Sequence, residues 1–259
     1  MKNSRLQSIG FPVAAGIVFI ALMQIGLIHS IFDIKELQLP LPFDVLSAFY
    51  ENMRQIIGNT AATVLPAVSG MAAGALIGYG TALMVTAFPV WGYGGLLLMT
   101  LINSIPVVAL APLMNRWFET PFISKFVVIA VTASGAMAIN SFHGLNDLPE
   151  NALQLMRSAA ATKREVFTRL RCPCSLPGVF TALKIIVPSG MLAAIISEFF
   201  SSKTEGLGYM IKYCLKVGNM KQIGWAYILA VSVISILFYV IVCLLERRFL
   251  SWHVSQRNN

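Results

Sequence analysis

The chain has 259 residues, of which 57% are hydrophobic and only 12% charged, and it carries a formal net charge of +8 at pH 7. Ordinary soluble domains are about one quarter charged, so this composition excludes one and indicates an integral membrane protein. The basic residues lie in loops between apolar runs, with no aromatic and basic surface of the kind that reads nucleic acid, so membrane topology accounts for the charge.

The length allows roughly six spans of about 20 residues each. Lys2 and Arg5 precede an apolar run over about 9–28, which could be a signal peptide or a first span. It is longer than a usual signal core and no A-x-A site follows, so a retained transmembrane helix is expected. Residues 31–57 form a polar connection containing Pro40 and Pro42, and 45–57 is predicted to be an interfacial amphipathic helix.

A second span is expected over about 60–88. Gly70, Gly74 and Gly78 recur along one stripe of it, and small residues at that spacing let another helix approach closely in lipid. A third span, about 93–114, is predicted to be broken by Pro106 and Pro112. Asn103 and Ser104 stand just before the first of these prolines, where irregular backbone and amide side chains either line a pore or bond to a neighbouring helix. Arg116, Glu119 and Lys125 mark a short loop before a fourth span, about 126–142.

Residues 147–177 are a charged island between apolar segments. Asp147 with Glu150 reads as an N-cap with its returning acid, and Pro149 in the first turn sacrifices only an amide that would be unpaired anyway. A helix is predicted from about Leu148 through Ala152, Leu153, Met156 and Ala159, with Arg157 on its flank, ending near 160–161. Thr162 with Glu165 repeats the cap signature and opens a short second helix. That helix carries Val166, Phe167 and Leu170 on one face and Lys163, Arg164, Arg169 and Arg171 over much of the rest, and Pro173 is predicted to stop it.

A fifth span is expected from after Pro177 to about Phe200. Glu198, its sole carboxylate, lies near the far end. Such a residue either serves the solute path or reaches headgroups and water. Gly206, Leu207 and Gly208 turn the chain into a short helix over about 209–217, and a sixth span covers about 223–245.

Cys172, Cys174, Cys214 and Cys243 form no pair of CxxC motifs, and His29, His143 and His253 are scattered, so neither a metal site nor a catalytic cluster is expected. Six spans place both termini and the island on one side. That side holds eleven of the nineteen basic residues, including Lys184, Arg247, Arg248 and Arg257, against the acids Asp147, Glu150, Glu165 and Glu246. The other side is nearly neutral, so the island and both termini are predicted to be cytoplasmic.

Gln154, Leu155, Met156, Arg157, Ala160 and Thr162, followed by Phe167 and then Leu176 and Pro177, resemble the EAA loop of importer-type ATP-binding-cassette permeases. Gln154 stands where the family favours Glu, Leu155 and Met156 where it favours small residues, and Ala160 where it favours Gly. Ala lacks glycine's freedom at positive φ. Asn103 to Pro112 with Trp117 and Phe118, Ser197 and Glu198 before Gly206 to Tyr209, and the closing run from Leu244 are similar to the nitrate, sulfonate, taurine and pyrimidine-precursor branch.

The resemblance implies an all-α membrane fold with a cytoplasmic helix-turn-helix coupling loop between spans four and five. It implies an N-terminal helix and extracellular connection over 1–58, a permease core over 59–252 with its coupling loop at 143–177, and a tail at 253–259. Gln154, Arg157, Ala160, Thr162, Glu165, Phe167 and Leu170 would couple to an ATPase, while Asn103, Ser104 and Glu198 would serve the translocation path. The implied partners are two cytoplasmic ATPase subunits, a second permease that is identical or related, an extracellular or periplasmic solute-binding protein, and membrane lipid. No nucleic acid is implied. The implied location is the prokaryotic plasma (inner) membrane.

This chain has no G-x-x-x-x-G-K-[ST] loop, so no cofactor is expected on it, and ATP and Mg would be bound by the partner ATPase. The expected role is therefore a non-enzymatic permease subunit of an ATP-driven importer. A stand-alone secondary transporter or channel is the alternative, and it would be expected to carry coupled intramembrane charges or repeated broken helices. The basic amphipathic helix has two readings as well: its apolar face docks in an ATPase groove, or it lies on anionic lipid.

Overall fold

The computed structural model describes residues 2–33, 38–218 and 220–250, with the side chains at 2–9, 89–91 and 93 outside that description. Glu36, Trp252 and the expected tail at 253–259, with His253 and Arg257, also lie outside the described residues. The described secondary structure is helical throughout, and the chain divides into two compact units.

One unit comprises Met1–Gly58 with Met210–Ala230. It contains α1 (Lys2–Gln24), α2 (Leu27–Phe32) and α3 (Pro42–Glu51). Gly26, at φ 76°, separates the first two, a conformation that glycine reaches without steric cost. The amphipathic helix expected over 45–57 is α3, and it both starts and ends earlier. Pro42 supplies a preset φ at its first turn, and Asn52 closes it by donating from its side chain to the Ala48 carbonyl at 2.8 Å. Met53 already belongs to the next helix.

The other unit comprises Asn59–Tyr209 with Val231–Asn259. Its elements follow from α4 (Met53–Ala87), α5 (Pro89–Asn103), α6 (Val107–Trp117) and α7 (Pro121–Asn146). Then come α8 (Glu150–Ser158), α9 (Lys163–Val166), a wide π-wound turn (Phe167–Arg171) and α10 (Cys172–Phe200). Two further helices, α11 (Leu207–Lys216) and α12 (Lys221–Phe249), complete the chain order, each divided between the two units.

Among the described residues, α4, α7, the run Lys163–Phe200 and α12 are long and apolar enough to cross a bilayer. A fifth crossing results if α5 and α6, bent by 92°, count as one broken span. The first expected span, about 9–28, has a described apolar portion, Gly10–Gln24, shorter than the roughly 20 residues a crossing needs. The break between α5 and α6 falls at Pro106, as expected, because a proline disfavours helical backbone in the residue before it. Pro112 does not break the chain and sits inside α6.

Three other boundaries differ from expectation. Lys125 is no loop residue: α7 begins at Pro121 and buries it. α11 starts at Leu207, two residues before the expected position. α10 includes Pro177 and Pro188 instead of starting after the first of them.

The glycine stripe of α4 is a packing face. A Cβ at Gly70 would lie 2.8 Å from the Phe126 carbonyl oxygen, one at Gly74 would lie 2.5 Å from that of Ala130, and one at Gly78 would lie 2.8 Å from Met137 Cβ. In lipid, where apolar contact alone gives little preference, such backbone approach is what makes one helix pairing better than another. α7 and α10 lie together along most of their length. A Cβ at Gly178 would sit 2.6 Å from the Asn140 carbonyl oxygen, and one at Gly144 would sit 3.0 Å from Ser175 Cα. Met71, Ile129, Ile186 and Met191 fill the core between α4, α7 and α10.

Candidate functional site

The loop between α7 and α10 is built from two local signals. Asp147 does not cap the helix after it. It closes α7 instead, its amide donating to the His143 carbonyl at 2.8 Å, and Pro149 takes the N-cap position of α8. Leu148, bonded by its amide to the Asn146 carbonyl, is therefore part of the turn rather than the first helical residue.

α8 ends in a Schellman motif: the Ala160 amide donates to the Arg157 carbonyl and the Ala161 amide to that of Met156, both at 3.0 Å. Ala160 adopts φ 51°, so the left-handed turn for which glycine is suited is kept here by an alanine. This geometry costs an L-residue about 1–2 kcal/mol. Thr162 follows with the expected capping box. Its amide donates to Glu165 Oε2 at 2.9 Å, and the Glu165 amide donates to Thr162 Oγ1 at 3.3 Å.

Pro173 does not stop the second helix. Phe167–Arg171 winds as a π-turn in which the Cys172 amide reaches the Phe167 carbonyl, and the chain continues as helix to Phe200. A proline ring normally collides with the carbonyl four residues before it, and the wider turn immediately preceding Pro173 relieves that contact. Residues Lys163–Phe200 therefore form one helical run of 38 residues.

The loop is tied to the spans by Arg171. Its guanidinium donates to the Leu145 carbonyl at 3.1 Å and to Asn146 Oδ1 at 2.7 Å. Asn146 in turn donates to Thr86 Oγ1 near the end of α4 at 3.3 Å. From the sequence, Arg171 reads as one of several basic residues covering the second helix. Its position immediately before the first residue of α10, facing the C-terminal carbonyls of α7, follows only from how the two helices meet.

The expected coupling residues distribute unevenly. Gln154, Arg157, Ala160 and Thr162 are exposed, whereas Glu165, Phe167 and Leu170 are half-buried within the chain itself. Leu155 is the large apolar side chain most open on this loop, at 72% exposure. Ala152, Leu153 and Met156 turn partly inward, so α8 separates a covered face from a polar face that carries Leu155.

The expected path residues do not converge. Asn103 and Ser104 are exposed at the end of α5. Asn103 presses on α7, where a Cβ at Gly135 would lie 2.6 Å from its own Cβ, and Ser104 bonds back to the Thr100 carbonyl at 2.9 Å. Glu198 lies elsewhere and is closed off, with 1% of its side chain exposed. In this conformation its carboxylate is enclosed by groups of the chain itself. Lys125 Nζ pairs with its Oε1 at 2.9 Å, Thr63 Oγ1 donates to the same oxygen at 2.8 Å, and the Gly208 amide donates to Oε2 at 2.6 Å.

Beside it, Asn115 of α6 donates to the Ser197 carbonyl of α10 at 2.8 Å and accepts a bond from Ser124 of α7. Neither Lys125, Thr63 nor Asn115 was singled out from the sequence as a site residue. The signal available for Lys125 was a lone cation within a turn of an apolar run. Among the described residues no group of three His, Cys, Asp or Glu could hold a metal ion.

Residues 70–251 match the family described as the binding-protein-dependent transport system inner membrane component. A formylaminopyrimidine transport permease of Halalkalibacterium halodurans is 31% identical over 154 residues, covering 60% of this chain and 61% of that protein's length. A Bacillus subtilis protein named for aliphatic sulfonates transport is 24% identical over 244 residues, 92% of this chain and 86% of its own. Among solved structures, an amino acid ABC transporter crystallised with histidines superposes with a TM-score of 0.64 at 15% identity, over 77% of this chain and 96% of that one. That likeness concerns the fold.

Proposed function

This chain belongs to the binding-protein-dependent transport system inner membrane component family, a multi-pass membrane family, and on that premise we propose how it works as the permease subunit of an ATP-driven importer. A cytoplasmic ATPase, present in two copies, docks on the loop of α8 and α9, and a second permease, identical or related, completes the pathway. The ATPase binds ATP and Mg. Its closure on nucleotide moves the loop, and the spans convert that movement into alternating access for a solute delivered by an extracellular binding protein.

The observation that carries this reading is the single helical run Lys163–Phe200, which begins in the loop and is long and apolar enough to cross the bilayer. A displacement of α9 is necessarily a displacement of α10. The loop also presents what a protein groove takes up: Leu155 is exposed, and Phe167 and Leu170 are incompletely covered. The solute is a small polar molecule such as an oxyanion, an organosulfonate or a pyrimidine-type precursor, a reading supported by the names of the relatives.

The test is co-expression of the tagged chain with candidate ATP-binding-cassette ATPase subunits from its own genome. Stoichiometric recovery of the ATPase with the permease is expected, together with ATP hydrolysis by the purified complex. Recovery of the permease alone, at matched expression of both subunits, would overturn the reading.

A further inference from the structure

Glu198 is buried, charged and surrounded by donors from three other segments, and the translocation role suggested by sequence does not explain that arrangement. One of its oxygens reaches the start of α11 directly and the other reaches it through Thr63. The Gly208 amide bonds to Oε2 at 2.6 Å, and the Leu207 amide bonds at 2.9 Å to Thr63 Oγ1, which itself donates to Oε1 at 2.8 Å. The first amides of a helix have no partner within it, and here a carboxylate and a hydroxyl from α10 and α4 satisfy them.

The turn is shaped around this carboxylate. Gly206 sits at φ 100°, and a Cβ there would fall on the carboxylate group; a Cβ at Gly208 would lie 2.9 Å from Glu198 Cβ and Oε2. Lys125, with 5% of its side chain exposed, neutralises Glu198 and also donates to the Ala62 carbonyl. A buried pair of this kind resists displacement, because separating it leaves an uncompensated charge away from water.

The pair has a counterpart at the opposite end of the same two helices. Arg171 holds the start of α10 to the end of α7 through Leu145 and Asn146, and Lys125 holds the start of α7 to the end of α10 through Glu198. Between these fastenings the backbones touch at Gly144 and Gly178. α7 and α10 are therefore clasped at both ends and close-packed between, and at about 1.5 Å per residue the run from α9 to Glu198 covers roughly 50 Å. Movement of the loop reaches Glu198 with little chance of being absorbed by sliding.

We infer that Glu198 and Thr63 are positioning residues for transport: they fasten the 201–208 turn and the start of α11 to the far end of the α9–α10 rod, so that nucleotide binding at the loop repositions that turn. The inference rests on the importer reading, and it assigns Glu198 a part in transmission instead of contact with solute.

The experiment uses the purified full-length permease–ATPase complex with Cys172, Cys174, Cys214 and Cys243 replaced by alanine and Lys203→Cys as the reporter in the turn. The reaction rate of that thiol with a polyethylene-glycol maleimide is measured without nucleotide and with ATP and orthovanadate. In the otherwise unaltered complex the rate is expected to change on the order of fivefold between the two conditions, the range typical of site-to-site coupling. With Glu198→Gln, and with Thr63→Val, which leaves the ion pair in place, the change is expected to disappear while ATP hydrolysis and ATPase recovery persist.

A purely structural role would lower assembly and hydrolysis together and leave the nucleotide-dependent ratio intact in whatever complex forms. If Glu198→Gln does not assemble, Thr63→Val decides. Undiminished nucleotide dependence in Thr63→Val, or no dependence in the unaltered complex, overturns the inference. Failure of the ATPase to co-purify with the unaltered chain instead overturns the importer reading on which it rests.

Discussion

Arg171 meets Asn146 at 2.7 Å, a charge-assisted bond that joins the residue entering α10 to the last residue of α7. Through Asn146 the contact extends to Thr86 of α4, so the loop is braced against two spans at its base. Hydrogen bonds to charged groups contribute about 1.5–3 kcal/mol. We expect Arg171→Met to leave permease abundance near normal and to reduce ATPase recovery several-fold, with Arg171→Lys intermediate. Quantitative co-purification from membranes with matched permease levels checks this, and equal recovery for all three would mean that the brace is irrelevant to docking.

The docking face can be apportioned between α8 and the π-turn. Burying a carboxylate without a partner costs several kcal/mol, enough to weaken an interface by roughly a hundredfold or more. Leu155→Asp and Phe167→Asp should each keep the chain in the membrane while ATPase recovery collapses. Phe167→Asp also tests the alternative that this face lies on lipid. On that alternative, ATPase recovery would be undiminished with Phe167→Asp.

Gly78 faces backbone and side chain of α7, where an added Cβ would lie 2.8 Å from Met137 Cβ and 2.9 Å from the Ala138 amide nitrogen. Gly78→Leu should destabilise the fold by about 1–3 kcal/mol through overpacking. Gly80, whose Cβ would meet nothing within 4 Å, is the matched control. Thermal aggregation midpoints in detergent should fall for the first and stay put for the second.

Ala160→Gly should stabilise the turn after α8, because φ 51° is strained for alanine and free for glycine. A gain of about 1 kcal/mol corresponds to about fivefold slower local opening. Hydrogen exchange at the Ala161 amide reads it directly, and faster exchange in the variant would contradict the assignment of strain.

The charge distribution predicts that the loop is cytoplasmic. In a background without native cysteines, Thr162→Cys should be shielded from an impermeant thiol reagent in intact cells, whereas Lys203→Cys should react. Both side chains are exposed in the chain, so burial does not confound the comparison. Labelling at position 162 from outside would reverse the topology.

The membrane class, the helical fold, the glycine stripe, the break at Pro106 and the capping box at Thr162 were all legible in the sequence, because each depends on composition or on residues within about one helical turn. Long-range proximity was not. Lys125 and Glu198 are 73 residues apart and Thr63 lies 135 from Glu198, so their meeting depends on how α4, α7 and α10 pack. From the sequence Lys125 reads as the edge of a loop, since a lone cation in apolar surroundings is expensive until a partner is in place. The same limit explains Pro173, which ends a helix by local rules and is accommodated here by a π-wound turn within a continuous run. Local chemistry set the helices and their caps; tertiary packing decided which charges are neutralised, which glycines are crowded and where the loop is braced.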